Sequence, residues 1–198
     1  MTWLAPTLPG MGKVAGIVLA AGAGRRFGGP KALAELDGVR LVDVAVTTLT
    51  AGGCGPVVVV AGAAPLTVAG ASVAHNPDWS TGMGSSLRTG LAHLGGGPVS
   101  GVVVLLVDTP WVGADAVRRL IASHRTDDTS AQATYAGAPS HPVLLARRVW
   151  DDVAALATGD QGARGWLRVH PELVVRVPCD GTGDPRDVDR PQDLLDPP

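Results

Sequence analysis

A glycine-rich segment that carries three cations follows the first apolar run of the chain. Residues 14–19 are apolar, and the segment after them contains Gly22, Gly24, Gly28, Arg25, Arg26 and Lys31. Glycines remove side chains, so backbone N–H groups can approach an anion closely. The three cations add positive charge within seven residues. The segment therefore predicts a phosphate-binding loop.

Neither of the two common phosphate-binding motifs matches this loop. A P-loop requires Gly-Lys-Ser/Thr, whereas Lys31 follows Pro30 and precedes Ala32. A dinucleotide fingerprint requires Gly-x-Gly-x-x-Gly, but counting from Gly22 the third position is Phe27. A plain turn between a strand and a helix is the remaining alternative. The three cations favour anion binding over that alternative.

A carboxylate stands directly after another apolar run. Asp108 ends the run 102–107. At the carboxyl end of a parallel strand its side chain faces the ligand edge, where it can hold Mg²⁺ together with phosphate oxygens. The alternative is a helix cap, because Thr109 and Pro110 also suit a turn into a helix. The cationic loop on the same sheet edge favours the metal ligand.

Four further places carry polar side chains that also have a purely structural interpretation. The loop 76–86 could read the edge of a nucleobase, although its serines could simply cap the next helix. The segment 159–164 offers a carboxylate and a guanidinium, which could equally form a cap and a surface ion pair. His141 precedes a proline in a predicted turn. Asp189 lies in an acidic tail, where solvated charge is the default.

Composition excludes several classes of protein. The chain has 198 residues, of which 45% are hydrophobic, enough for one domain with a large core. A net charge of −2 and only 4% aromatic residues argue against nucleic-acid binding. No apolar run reaches the roughly 18 residues of a membrane helix. We expect an N-terminal extension at residues 1–12 and a single domain at residues 13–198.

Strand-like and helix-like segments alternate, which predicts a doubly wound α/β fold. The predicted strands are 14–20, 57–61, 72–75 and 102–107, and the predicted helices are 41–51, 85–94 and 114–125. The runs 57–60 and 102–107 are apolar on both faces, as in a mostly parallel sheet flanked by helices. Beyond residue 126 we expect a small antiparallel insertion, 131–136 with 142–146, then helices at 147–157 and 163–169 and a strand at 173–177.

Five motifs, in order, resemble those of the MobA-like NTP transferases, from residue 14 to about residue 195. They are the opening loop, Asn76-Pro77-Asp78-Trp79 with Gly82-Met83-Gly84-Ser85-Ser86-Leu87, Ser140-His141-Pro142, the run 159–164, and the run 187–194. Within that group the chain looks most like the molybdenum cofactor cytidylyltransferases, partly because Ala21 stands where guanylyltransferases favour glycine. Two positions depart from the pattern: Thr109 follows Asp108, and Ser140 precedes His141 where the family has glycine.

This resemblance implies a Rossmann-like enzyme that transfers CMP from CTP to the phosphate of molybdopterin, in a Mg²⁺-dependent cytoplasmic reaction that releases pyrophosphate. It also raises a molybdoenzyme client as a partner, with no nucleic acid or membrane involved. The implied nucleotide-binding residues are Leu19, Ala20, Ala21, Gly22, Ala23, Gly24, Arg26, Lys31, Asn76, Gly82 and Ser86. Arg26, Lys31 and Asp108 are the implied catalytic residues, Asp108 and Asp189 the metal ligands, and His141, Asp160 and Arg164 the acceptor-binding residues.

Several alternatives stay open from the sequence. The donor could be GTP, as in a molybdopterin guanylyltransferase, or the acceptor a sugar or polyol phosphate. A different class is a non-catalytic nucleotide-binding protein that delivers cofactor to a partner enzyme. A glycosyltransferase of similar architecture would need Asp-x-Asp, but the second residue after Asp108 is Pro110.

Overall fold

The computed structural model describes residues 12–124 and 128–196. Residues 1–11 of the expected extension and residue 125 of a predicted helix lie outside the described residues. The strands are β1 Lys13–Leu19, β2 Glu35–Leu36, β3 Val39–Arg40, β4 Val57–Ala61, β5 Ser72–His75, β6 Val99–Leu106, β7 Ser130–Tyr135, β8 Ala138–Ala146 and β9 Val174–Pro178. The α-helices are α1 Leu41–Ala51, α2 Met83–Leu94, α3 Ala114–Ser123, α4 Trp150–Leu156 and α5 Arg164–Val169.

Seven strands form one sheet in the order β5-β4-β1-β6-β8-β7-β9. Strands β5, β4, β1 and β6 pair in parallel, whereas β8 runs antiparallel to both of its neighbours. Strand β9 pairs in parallel with β7. The predicted mostly parallel sheet is therefore confirmed, and the antiparallel insertion is a part of it. The separate two-stranded sheet of β2 and β3 was not predicted.

Helices cover both faces of the sheet and create two hydrophobic cores. Alternate residues of β4 enter opposite cores, with Val57 and Val59 on one side and Val58 and Val60 on the other. Helices α1 and α3 cover the first face, while α2, α4 and α5 cover the second. Each fully buried Val or Leu contributes roughly 1.5–3 kcal/mol of burial energy, so strands that are apolar on both faces belong at the centre of this fold.

The strand order reverses direction at β1, and this reversal positions the site. From β1 the chain crosses over to β4 on one side, and it later returns to add β6 on the other. In sheets of this type a crevice opens beside such a switch point, at the carboxyl ends of the strands. The glycine-rich loop follows β1, and Asp108 follows β6 by two residues. Both therefore reach the same crevice.

Among the elements around the crevice, β6 and α2 begin earlier than predicted. Strand β6 begins at Val99 rather than at residue 102, because Ser100 and Gly101 interrupt the apolar run but still lie in the buried sheet. Helix α2 begins at Met83 rather than at Ser85. Across residues 12–124 and 128–196, no helix is both long and apolar enough to cross a membrane.

Candidate active site

A cleft of about 430 Å³ opens at the carboxyl ends of β1 and β6. Its lining combines the glycine-rich loop, the ends of both strands, the start of α2 and two distant carboxylates. The lining residues are Leu19, Ala21, Gly22, Ala23, Gly24, Arg25, Arg26, Lys31, Trp79, Ser80, Gly82, Met83, Ser86, Leu106, Val107, Asp108, Asp160 and Asp189. Most of the residues predicted from the sequence are thus brought together in one place.

The glycine-rich loop is held in a tight turn by its own backbone. The N–H groups of Gly28 and Gly29 both donate to the carbonyl of Gly24, at 2.9 and 3.2 Å. Gly24 has φ +60°, and a Cβ there would lie 1.9 Å from the carbonyl oxygen of Gly29. Only glycine fits that position. The turn brings Lys31, the first residue of a short 3-10 turn, back toward the strand ends.

Lys31 lies between two carboxylates that come from distant parts of the chain. Its Nζ donates to Asp108 Oδ2 at 3.0 Å and to Asp189 Oδ1 at 3.1 Å. The Lys31 side chain is 15% exposed. The other oxygen of Asp189, Oδ2, lies 3.8 Å from Nη1 of Arg26, whose side chain is 81% exposed. The four groups form a chain of alternating charge across the cleft.

The carboxylates keep Lys31 charged. Partial burial alone would lower the pKa of the Lys31 ammonium, but the charge and hydrogen bond of Asp108, followed by those of Asp189, outweigh it. The pKa therefore lies above its ordinary value of about 10.4. A fixed positive charge at this position suits the neutralisation of phosphate oxygens.

Asp189 reaches the cleft on a C-terminal segment that is fastened beside Asp108. The N–H of Val188 donates to the backbone carbonyl of Asp108 at 2.8 Å, and Val188 itself is fully buried. The carboxylate of Asp193 accepts from the N–H groups of Asp189 and Arg190, at 2.9 and 2.7 Å. These contacts hold the segment so that Asp189 faces Lys31.

The opposite end of the cleft is built around the start of α2. Asn76 is 1% exposed and donates through Nδ2 to the hydroxyls of Ser85 and Ser86, at 2.9 and 3.0 Å. Because the Ser86 oxygen accepts this bond, its own O–H is left to donate into the cleft. Asn76 positions this loop and does not itself line the cleft. Ser86 and Gly82 do line it, and with Trp79 they provide an aromatic ring and polar groups suited to a nucleobase.

Asp160 lies close to the start of α2. Its Oδ1 accepts from the N–H of Met83 at 3.4 Å, and a Cβ at Gly82 would lie 2.7 Å from the same oxygen. Gly82 has φ +112°, a region that favours glycine. The loop at residues 157–162 therefore packs backbone to backbone against the start of α2. Asp160 lines the cleft from this contact.

Two of the predicted acceptor-binding residues lie outside the cleft lining. His141 is on β8 and Arg164 is the first residue of α5. The pKa of the His141 imidazole is lowered to about 4, mainly by burial and also by the charge of Arg164, while a hydrogen bond with the Val104 backbone opposes the shift. The Nδ1 atom of His141 is buried without a hydrogen-bond partner. The charge of Arg164 thus acts on His141. The acceptor-binding role of both residues stays a prediction.

Six residues that line the cleft were not among the predicted site residues: Arg25, Trp79, Ser80, Met83, Leu106 and Val107. Trp79 and Met83 belong to motifs that carried the family resemblance, so the signal was present. Ala20, by contrast, was predicted to bind nucleotide, but it is 5% exposed and its N–H donates to the Val60 carbonyl at 3.1 Å. It supports the loop from behind.

The carboxylates of Asp108 and Asp189 are suited to a hard divalent cation that is bound together with substrate phosphates. Within the described ranges, no three His, Cys, Asp or Glu side chains gather as a complete metal site. Mg²⁺ is commonly bound through one or two carboxylates, with substrate phosphates and water completing its coordination. Asp108 and Asp189 could supply those two carboxylates, next to a loop built for phosphates.

The fold and cleft together define an α/β protein that binds nucleoside phosphates. The chain belongs to the MobA-like NTP transferase domain family, whose model matches residues 16–175. It is therefore a nucleotidyltransferase of that family. The resemblance to the MobA-like NTP transferases and the fold class expected from the sequence are both confirmed.

Similar proteins carry more than one function. The chain is 38% identical over 192 residues to nicotine blue oxidoreductase of Paenarthrobacter nicotinovorans, covering 89% of this chain and 92% of that protein. Over 39 residues it is 54% identical to a probable molybdenum cofactor guanylyltransferase of a Geobacillus species, one fifth of each chain. Among solved structures, Rv0371c of Mycobacterium tuberculosis H37Rv in complex with manganese is 26% identical with a TM-score of 0.76, covering 92% of this chain and 96% of that chain.

Proposed function

We propose that this nucleotidyltransferase transfers CMP from CTP to the terminal phosphate of molybdopterin, in a Mg²⁺-dependent reaction. The observation that carries the proposal is the position of Lys31 between Asp108 and Asp189, at the end of a phosphate-binding loop. This arrangement supports the proposal because it brings one cation and two carboxylates, which could hold a metal ion, beside the loop that would bind a triphosphate. Because its substrates are a nucleoside triphosphate and a cofactor precursor, we also propose a cytoplasmic location.

The reaction needs positioning and charge neutralisation more than acid–base chemistry. An oxygen of the acceptor phosphate bonds to the α-phosphorus, the bond from that phosphorus to the bridging oxygen breaks, and pyrophosphate leaves. A phosphate monoester has a second pKa of about 6, so the attacking group is already largely dianionic at neutral pH. The loop N–H groups and Arg26 would bind the triphosphate, and Lys31 would neutralise the phosphate that is attacked.

Asp108 and Asp189 are the proposed metal ligands. When bound there, Mg²⁺ would neutralise charge on the phosphate oxygens. The manganese complex of Rv0371c supports a divalent cation in a relative of the same fold. The donor set also supports it, since carboxylate oxygens suit Mg²⁺ and Mn²⁺ better than softer metals.

The choice of CTP rests on the cytidylyltransferase-like motifs, Ala21 among them. Ser86 and the backbone of Gly82 would contact the base beside Trp79. The runner-up is GTP, which the named function of the Geobacillus relative favours. We further propose that His141, Asp160 and Arg164 contact the pterin side, with Asp160 reaching it from the cleft wall.

A second candidate function is suggested by the name of the Paenarthrobacter relative. Its 38% identity extends over nearly the whole of both chains, and its name describes a redox enzyme. A reductase could bind a nucleotide-containing reductant in the same cleft. It would transfer hydride without charge neutralisation at a phosphorus, so Lys31, Asp108 and Asp189 would not be needed together.

A pyrophosphate-release assay with CTP, GTP, ATP and UTP, with and without molybdopterin, tests the proposal. We expect turnover with CTP and only when molybdopterin is present, and Lys31→Ala should reduce it by about a hundredfold or more. Preference for GTP would move the assignment to guanylyl transfer. No pyrophosphate release, together with oxidation of an added reduced nicotinamide cofactor by an added two-electron-accepting dye, would replace nucleotidyl transfer with the redox function. Nucleotide binding without any turnover would favour cofactor delivery.

A further inference from the structure

We propose that Lys31 is the internal counter-cation of the Asp108–Asp189 pair, and that it competes with the divalent cation for these carboxylates. On this proposal Lys31 must leave the pair when metal binds, and it then becomes free to neutralise the triphosphate. The inference rests on the metal site proposed above. The metal site alone does not imply that any residue opposes the metal. On this proposal, Lys31 opposes metal binding in the absence of nucleotide.

The ammonium of Lys31 contacts one oxygen of each carboxylate that would hold the metal ion. Lys31 Nζ is 3.0 Å from an oxygen of Asp108 and 3.1 Å from an oxygen of Asp189. A Mg²⁺ ion bound to the same two oxygens would lie about 2.1 Å from each. An ammonium and a divalent cation cannot both occupy the space between these two atoms. One of the two cations must be displaced.

Arg26 strengthens the competition at Asp189. Its Nη1 lies 3.8 Å from the second oxygen of that carboxylate, so both oxygens of Asp189 face a cation. Arg26 is largely exposed, whereas Lys31 is mostly buried. Lys31 is therefore the cation whose charge is less screened by water, and its removal should have the larger effect on metal affinity.

The four charges of the cluster Lys31, Arg26, Asp108 and Asp189 balance when no ligand is bound. Lys31 and Arg26 carry two positive charges, and Asp108 and Asp189 carry two negative charges. A divalent cation alone adds positive charge beside two fixed cations, and a triphosphate alone adds negative charge beside two carboxylates. When metal and triphosphate bind together, the carboxylates exchange Lys31 and Arg26 for the metal cation. Lys31 and Arg26 in turn exchange the carboxylates for the phosphates. The binding of metal and nucleotide should consequently be strongly coupled.

The proposal predicts a gain of metal affinity from the loss of a site residue. In Lys31→Met the two carboxylates keep their positions on the chain but lose the competing ammonium. Mn²⁺ alone should bind this variant about tenfold more tightly than the native protein, as expected for removal of a like charge from a partly buried site. A role of Lys31 limited to holding the carboxylates in place predicts the opposite, namely weaker binding.

The test is a titration of Mn²⁺, followed by the electron paramagnetic resonance signal of the free ion, with and without CTP. Lys13→Met is the matched control, because Lys13 is an exposed lysine at the other end of β1. Asp108→Asn should weaken Mn²⁺ binding by at least about tenfold. Thermal melting in each case shows that the variant is folded, and Mn²⁺ should raise the melting temperature of Lys31→Met more than that of the native protein.

The outcomes separate this inference from the proposed function. Equal or weaker Mn²⁺ binding by folded Lys31→Met, with Asp108→Asn still impaired, overturns the competition and leaves the metal site intact. Mn²⁺ binding that Asp108→Asn does not change overturns both. The identity of the nucleotide does not enter, since the decisive comparison is made with Mn²⁺ alone. CTP should tighten Mn²⁺ binding more in the native protein than in Lys31→Met.

Discussion

Asp108 illustrates how a single residue acquires its role from partners far along the chain. Alone it stands between two interpretations, a metal ligand and a helix cap. In the structure the Asp108 carboxylate accepts a hydrogen bond from Lys31, which lies 77 residues earlier in the chain. Lys31 also contacts Asp189, which lies 158 residues after Lys31. No side chain caps the start of α3, which follows Gly113. The carboxylate of Asp108 therefore faces the cleft and does not cap α3, and its role as a metal ligand stays a proposal.

At this scale we predict that Asp108→Asn removes turnover and spares the fold. The amide keeps the shape of the side chain but loses its negative charge, so it binds a divalent cation poorly. Pyrophosphate release should fall about a hundredfold or more, while the melting temperature stays within a few degrees. The backbone carbonyl of residue 108 still accepts from Val188. A variant that loses its cooperative melting transition would instead indicate a structural role.

The sequence made the individual residues visible but not their arrangement. Lys31 and Asp108 are marked locally, by a glycine-rich loop and by the end of an apolar strand. No motif in the residues around Asp189 predicts a functional role, since it lies in an acidic tail. Only the family resemblance predicted it as a site residue. The sharing of Lys31 by two carboxylates depends on how the C-terminal segment returns to the sheet. Hydrogen bonds of Val188 and Asp193 hold that segment in place. No sequence pattern predicts these hydrogen bonds.

At the scale of elements, the loop after β1 allows a sharp comparison of two glycines. A Cβ at Gly24 would collide with the carbonyl of Gly29 at 1.9 Å, and φ is +60° there. A Cβ at Gly22 would meet nothing within 4 Å, although Gly22 lines the cleft. The first glycine thus serves the conformation of the loop, and the second serves the space that a ligand would enter.

We accordingly predict different consequences for Gly24→Ala and Gly22→Ala. Gly24→Ala should lower the free energy of unfolding by about 1–3 kcal/mol, since a strained backbone position of this kind costs that much, and it should weaken nucleotide binding. Gly22→Ala should leave the free energy of unfolding nearly unchanged while weakening nucleotide binding. Urea denaturation and nucleotide titration measure the two effects. Equal stability of both variants would contradict this division of roles.

Elements with a strong periodic pattern were predicted closely. Helix α1 and strands β4 and β5 have the predicted bounds, because glycines and polar residues end their apolar patterns sharply. Strand β8 begins at Ala138 rather than at residue 142, since its first half is exposed and carries little apolar signal. Helix α4 begins at Trp150 after a 3-10 turn, a distinction that side-chain spacing does not make.

At the scale of the whole molecule, the two free cysteines should report on global unfolding. Both Cys54 and Cys179 are buried, and burial raises the pKa of Cys54 to about 12 and the pKa of Cys179 above its ordinary value. The reactive thiolate is therefore scarce at both positions in the folded protein. A thiol reagent at pH 8 should react with neither cysteine until urea unfolds the chain. Rapid reaction of one thiol in native buffer would reveal local opening of its core.

The pH dependence of stability should depend on His141 at the seam between β6 and β8. The imidazole has a pKa of about 4 in the folded protein, against about 6.5 in an unfolded chain. Between these pH values only the unfolded state takes up this proton, so stability is present above pH 6.5 and is lost as the pH falls toward 4. The shift corresponds to about 3 kcal/mol.

The variant His141→Gln should remove this loss of stability. Its free energy of unfolding should therefore change less than that of the native protein between pH 7 and pH 4.5, as measured by urea titrations. His75→Gln, which removes an exposed histidine, controls for the loss of an imidazole as such. An identical pH slope in the native protein and His141→Gln would show that the buried ring does not set this dependence.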